Sequence, residues 1–110
     1  MPASFVYVTV SSREEANQIG RALVTERLVA CVNIFDGMQS LYWWNDRVES
    51  ADEVVLLGKT RPERVDAVTE RIKALHSYEC PCVVTWQVDA GNPDYMAWIH
   101  QETSQPGETV

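Results

Sequence analysis

Three features of this 110-residue sequence predict a single α+β domain of split-βαβ topology, with two helices on one face of a four-stranded antiparallel sheet. The apolar spacing switches between strand-like and helix-like in the order β-α-β-β-α-β and ends in one short helix. Hydroxyl-led capping patterns stand before both longer helical stretches. Residues 54–57 are four apolar side chains in a row, a strand that asks for cover on both faces.

Residues 5–10 are β-branched and aromatic and stop at a serine pair, which predicts the first strand. Ser12 and Glu15 have capping-box spacing, the hydroxyl accepting from the Glu15 amide and the carboxylate returning to the Ser12 amide. In the helix that follows, Ala16, Ile19, Gly20 and Leu23 form a narrow stripe of apolar and small residues where a sheet could approach closely. Residues 28–35 predict the second strand, broken at Asp36 and Gly37 and resuming through Met38 to Trp44. Asn45 and Asp46 make a hairpin turn, and the return strand covers residues 47–59. Thr60, Pro62 and Glu63 suggest a second capping box, and Val65, Val68, Ile72 and Leu75 give an amphipathic helix ending near His76. Residues 82–88 predict the fourth strand, with Pro81 at its start. Asn92 as cap and Pro93 in the first turn begin a short helix carrying Tyr95, Met96, Trp98 and Ile99. Residues 103–110 are polar and predict a frayed tail on an otherwise single domain. This is the ferredoxin-like arrangement, and right-handed crossovers leave the second sheet face without a helix.

The densest signal is the run Tyr42, Trp43 and Trp44 before the hairpin turn. Alternation in a strand puts Tyr42 and Trp44 on one face and Trp43 on the other. A domain of this size has little interior to hold three such rings. Together with the bare sheet face, they predict burial against neighbouring copies of the chain.

Sixteen acidic against nine basic residues give a net charge of −7, which opposes binding to a phosphate backbone and argues against nucleic acid as a partner. No apolar run reaches the ~20 residues of a membrane span, and no leader-like segment opens the chain, so a soluble cytoplasmic protein is expected. Cys31, Cys80 and Cys82 are an odd set in apolar surroundings, expected as reduced thiols.

Five segments in order resemble the CutA family of divalent-cation-tolerance proteins. They are residues 30–33 (ACVN), 40–44 (SLYWW), 57–60 (LGKT), 75–81 (LHSYECP), and 91–95 (GNPDY) with Trp98 and Ile99 behind. The resemblance covers nearly the whole chain. It implies a ferredoxin-like subunit in a compact homotrimer, similar in architecture to the P-II signalling proteins, with clefts between subunits. It also implies a role in tolerance to copper and other divalent ions and a possible protein partner, and it brings no agreed catalytic reaction. The chain departs from the family pattern at Ser77, where proline is common, and at Cys82, where an acidic or apolar residue is common.

The candidate metal ligands are His76, Glu79 and Cys82, because residues 76–82 gather an imidazole, a phenol, a carboxylate and two thiols. Imidazole and thiolate suit copper or zinc, and the pair Cys80 and Cys82 suits copper(I). The Cys-x-Cys spacing is not that of a structural zinc site, so the fold is not expected to need the ion. The competing reading makes Cys82 a small buried hydrophobe and leaves His76 and Tyr78 to hydrogen-bond across a subunit boundary. For a small ligand or anion the cleft candidates are Cys31, Lys59, Thr60, His76 and Tyr78, with Lys59 and Thr60 at the start of a helix. Tyr42, Trp43, Trp44, Trp86 and Trp98 are read as packing anchors of the trimer. Two classes are therefore weighed against an enzyme, for which no triad, paired carboxylates or phosphate loop is present. One is a trimeric metal-binding protein, the other a P-II-like module that binds a metabolite or anion and acts on a partner.

Overall fold

The computed structural model describes residues 1–104. Its elements are β1 (Ala3–Val10), α1 (Arg13–Thr25), β2 (Cys31–Trp44), β3 (Arg47–Thr60), a 3-10 turn (Pro62–Arg64), α2 (Val65–Leu75), β4 (Val83–Val88) and α3 (Pro93–Glu102). The sheet order is β2-β3-β1-β4, every neighbouring pair antiparallel, which is the ferredoxin-like order. Among the described residues no helix is long and apolar enough to cross a membrane.

One sheet face and the two longer helices make the core. Val6, Val8 and Val10 of β1 and Val54 and Leu56 of β3 meet Ala16, Ile19 and Leu23 of α1 and Val68 and Ile72 of α2. Leu56 and Ile72 are wholly buried, each stabilising the fold by about 1.5–3 kcal/mol. Gly20 lets β2 close on α1, since a Cβ there would lie 3.0 Å from a Val32 methyl. The small-residue stripe read from the sequence has this steric purpose.

Ser12 caps α1 as predicted, accepting from the Glu15 amide at 3.1 Å, but the capping box is half formed. The Glu15 carboxylate takes the Ser11 amide (3.2 Å) and the Ser77 amide (2.7 Å), tying α1 to the segment after α2. The second capping box is absent. Thr60 is the fully buried last residue of β3, its hydroxyl donating to the Leu28 carbonyl at 2.7 Å, and Arg61 leads into the 3-10 turn without a side-chain cap. The tertiary acceptor claims the hydroxyl before the helix can. At α3 the reading holds, with Asn92 accepting from the Asp94 amide at 3.0 Å and Pro93 in the first turn.

Asp36 and Gly37 do not break the second strand. Phe35 pairs with Val55 and Met38 with Glu53, so two residues of β2 oppose Val54 alone, a bulge in which Gly37 takes φ +78°. The extra residue reverses the alternation. Odd-numbered Cys31, Asn33 and Phe35 point away from the helices before it, and even-numbered Met38, Ser40, Tyr42 and Trp44 do so after it. The hairpin turns at Asn45 and Asp46, both at positive φ (50° and 61°), the left-handed pair a two-residue turn requires.

Two further expectations are corrected. The second sheet face is not bare of helix, because Met96 and Ile99 of α3 pack with Ala3, Ala30 and Val88 over its β1-start end. Fraying does not begin at residue 103. Thr103 is fully buried, its carbonyl accepting from Arg64 Nε at 2.8 Å, and the Ser104 hydroxyl accepts from Arg61 at 3.0 Å. A polar residue here is held by cationic side chains, a contact that local sequence does not announce. The rest of the expected tail, residues 105–110, lies outside the described residues.

Candidate functional site

Beyond α3 the second face stays uncovered and apolar. Phe35 is 51% exposed, Trp44 54%, Val84 53% and Trp86 46%. Tyr42 shares this face, whereas Trp43 lies on the outer side of the hairpin with Leu41 and Val48. Isolated exposed apolar residues are ordinary, but several large apolar side chains exposed on one sheet face mark an interaction surface.

At the Thr9 end of the face the long β2–β3 ribbon and residues 76–82 rise on either side of the sheet and enclose a groove of 710 Å³. Tyr7 and Thr9 form its floor. Residues 39–42 and Trp44 form the ribbon wall with Glu53, and Tyr78, Glu79, Cys80 and Cys82 form the opposite one.

His76 fixes that second wall from behind. Its side chain is wholly buried, with Nε2 2.8 Å from the Thr9 carbonyl and Nδ1 accepting the Tyr78 amide at 3.0 Å. Because Nδ1 accepts, Nε2 carries the proton and donates to Thr9. Both ring nitrogens are engaged and neither faces the groove. The predicted ligand set His76, Glu79 and Cys82 is therefore not assembled: His76 turns inward, while Glu79 and Cys82 line the groove. Among the described residues no three His, Cys, Asp or Glu side chains are grouped to hold a metal ion.

Tyr78 lies against the imidazole, ring centroids 4.6 Å apart, and its hydroxyl donates to Glu53 Oε2 at 2.8 Å. Burial, and then the Glu53 carboxylate accepting its proton, push this phenol well above its ordinary range, so it stays a neutral donor. Burial alone would raise the Glu15 carboxyl, but the amides of Ser77 and Ser11 outweigh it and hold the pKa below the ordinary value. Cys80 and Cys82 are free and exposed, which corrects the reading of Cys82 as a buried hydrophobe: β4 starts one residue later, and the thiol is left on the groove wall.

The predicted small-ligand cleft divides in two. Cys31 and Lys59 pair across β2 and β3 and meet Tyr95 of α3, with Lys59 Nζ donating to its hydroxyl at 3.2 Å and Cys31 Sγ 3.6 Å from the same oxygen. The Lys59 ammonium also sits 5.5 Å from the Phe5 ring centroid and 5.4 Å from that of Tyr95. Lys59 pairs with Phe5, two residues along β1 from Tyr7 and four from Thr9, so this cluster is displaced ~7 Å along the strand from the near end of the groove floor and ~13 Å from its far end. Tyr78 lines the groove with His76 buried behind it, and Thr60 is structural. Sequence reasoning missed Tyr95 and Glu53. Both are brought in by register, and only the strand alternation of Glu53 could have hinted at its face. Of the packing candidates, Trp86 stands edge-on to Phe5 (5.9 Å) and Trp98 tilts against Tyr95 (5.5 Å).

Comparison with known proteins agrees with this architecture. Residues 4–102 match the family model described as CutA1 divalent ion tolerance protein. The divalent-cation tolerance protein CutA of Thermus thermophilus is 43% identical over 98 residues, covering 89% of this chain and 95% of that one. The CutA of Archaeoglobus fulgidus is 38% identical with the same coverage. The chloroplastic CutA 1 of Oryza sativa is 38% identical over 96% of this chain, which spans only 59% of that longer protein. Among solved structures, CutA1 from Oryza sativa superposes with a TM-score of 0.92 at 38% identity, covering 96% of both chains. CutA from Xylella fastidiosa gives 0.91 at 37%, covering 93% of this chain and 98% of the other. Sequence match and fold coincide over nearly the whole length, and the chain belongs to the CutA divalent ion tolerance family.

Proposed function

We propose that this chain is a homotrimeric binding protein in tolerance to divalent metal ions, copper among them, and that it is not an enzyme. The observation that carries the reading is the uncovered apolar face with the groove at its end. The face is large and aromatic, as an interface between copies requires. No three-ligand group is present within one chain among the described residues, so an ion needing four donors would draw them from more than one subunit. The names of the relatives support the cation role. The net charge of −7 attracts cations to the assembly.

A second reading rests on the Lys59, Tyr95 and Cys31 cluster, where an ammonium and a phenol stand beside an exposed sheet edge. It is the better place for a small anion or metabolite, the P-II-like alternative in which ligand binding is passed to a partner protein.

Native mass spectrometry of the metal-stripped, reduced protein, titrated with copper(II) and zinc, separates the two. A trimer that takes up a fixed number of ions supports the first reading. A trimer with non-stoichiometric uptake, and with anion binding lost on Lys59→Ala, supports the second. A monomer at micromolar concentration refutes the assembly on which both depend.

A further inference from the structure

We propose that Cys80 and Cys82 form a two-sulfur site for copper(I) on the wall of the groove. The site deepens the metal-binding reading and names the ion that one chain can hold by itself.

Both thiols are free, both are exposed, and both line the same groove. Their spacing suits a shared ion. Pro81 has a fixed φ and disfavours helical backbone at Cys80, and two residues of chain span at most ~7 Å between Cα atoms. With thiolate–metal bonds of ~2.3 Å, sulfurs on such a pair reach one ion without moving an element of the fold. Neither residue belongs to a strand or helix, so small adjustments disturb no ladder.

The ligand count selects the ion. Zinc asks for four donors, and no group of three is available among the described residues. Copper(I) is soft, prefers thiolate and is satisfied by two of them in a near-linear arrangement. His76 cannot add a third ligand, since Thr9 and Tyr78 occupy both its nitrogens. The surroundings suit a weakly hydrated cation, with Tyr42, Trp44 and Glu53 across the groove and the Glu79 carboxylate on the same wall as the thiols. Binding replaces two S–H bonds by two S–Cu bonds: two thiols and one copper(I) give a dithiolate complex of charge −1 and release two protons. No electron is transferred.

The test uses the full chain, reduced and kept free of oxygen, competing for copper(I) supplied as its coloured bathocuproine disulfonate complex. Wild type and Cys31→Ser are expected to withdraw one copper(I) per chain. Cys80→Ser and Cys82→Ser should each weaken withdrawal by at least about 100-fold, since losing even an outer partner of a metal site costs roughly 10- to 100-fold. The double variant should be no worse than either single one, because a two-ligand site fails when one ligand goes. Withdrawal by the double variant equal to wild type, or its loss in Cys31→Ser, would overturn the proposal. Zinc titration of the same proteins keeps the parent reading separate. If the double variant takes up zinc like wild type while losing copper(I), both stand. If wild type takes up no zinc yet the copper(I) results hold, the divalent reading falls and the dithiol site remains.

Discussion

Replacing His76 by alanine distinguishes an imidazole that builds the groove wall from one that binds an ion. The substitution removes the 2.8 Å bond to the Thr9 carbonyl and the 3.0 Å bond from the Tyr78 amide. At about 1 kcal/mol for each neutral hydrogen bond this amounts to ~2 kcal/mol. Losing the ring contact with Tyr78, centroids 4.6 Å apart, adds about 0.5–1.5 kcal/mol. The sum is ~3 kcal/mol, and for a domain of this length it lowers Tm by roughly 13 °C. The assay is urea unfolding at pH 7 at one fixed protomer concentration, because the stability of the proposed oligomer would depend on it. Metal uptake is measured in parallel on the folded protein. A lower midpoint with unchanged uptake per folded chain is expected. A His76→Ala protein with the wild-type midpoint and no metal uptake would refute the reasoning and restore His76 as a ligand.

Glu15 predicts an acid limb. Its pKa is depressed in the folded chain, so its contribution is present above the unfolded value of 4.5 and is lost as pH falls from there through the folded value. Glu15→Gln should cost about 1–2 kcal/mol at pH 7, and the gap to wild type should narrow in acid; a gap independent of pH in urea melts would exclude this linkage. Trp43→Ala and Trp44→Ala should weaken the proposed assembly by about 3–5 kcal/mol each if these rings are buried between copies, and variants that dissociate on dilution no more readily than wild type in sedimentation equilibrium would place both outside the interface. Truncation after Glu102 should lower Tm, because it removes the Thr103 carbonyl from Arg64, a charged hydrogen bond of about 1.5–3 kcal/mol; an unchanged melt would mean that Thr103 contributes nothing.

What could be read from the chain alone was whatever depends on neighbouring residues. The valines of β1, the stripe of Ala16, Ile19 and Leu23, the Ser12 and Asn92 caps and the Asn45–Asp46 turn are set by local sterics and period, and they determined the element order and hence the sheet order. Trp43 was separable from Tyr42 and Trp44 for the same reason, since alternation needs no knowledge of the fold. Which side of the sheet each ring occupies was decided by a single extra residue at Asp36 and Gly37, a bulge that exists only against the partner strand. Thr60 and Glu15 left their predicted capping roles because acceptors and donors far along the chain, the Leu28 carbonyl and the Ser77 amide, compete for them at short range. Nothing near His76 in sequence shows that Thr9 lies against its ring. The groove follows from that contact and from the reversed register of the ribbon. Local chemistry therefore set the elements and supplied the thiols and carboxylates, while long-range hydrogen bonds and strand register decided which of them face one another.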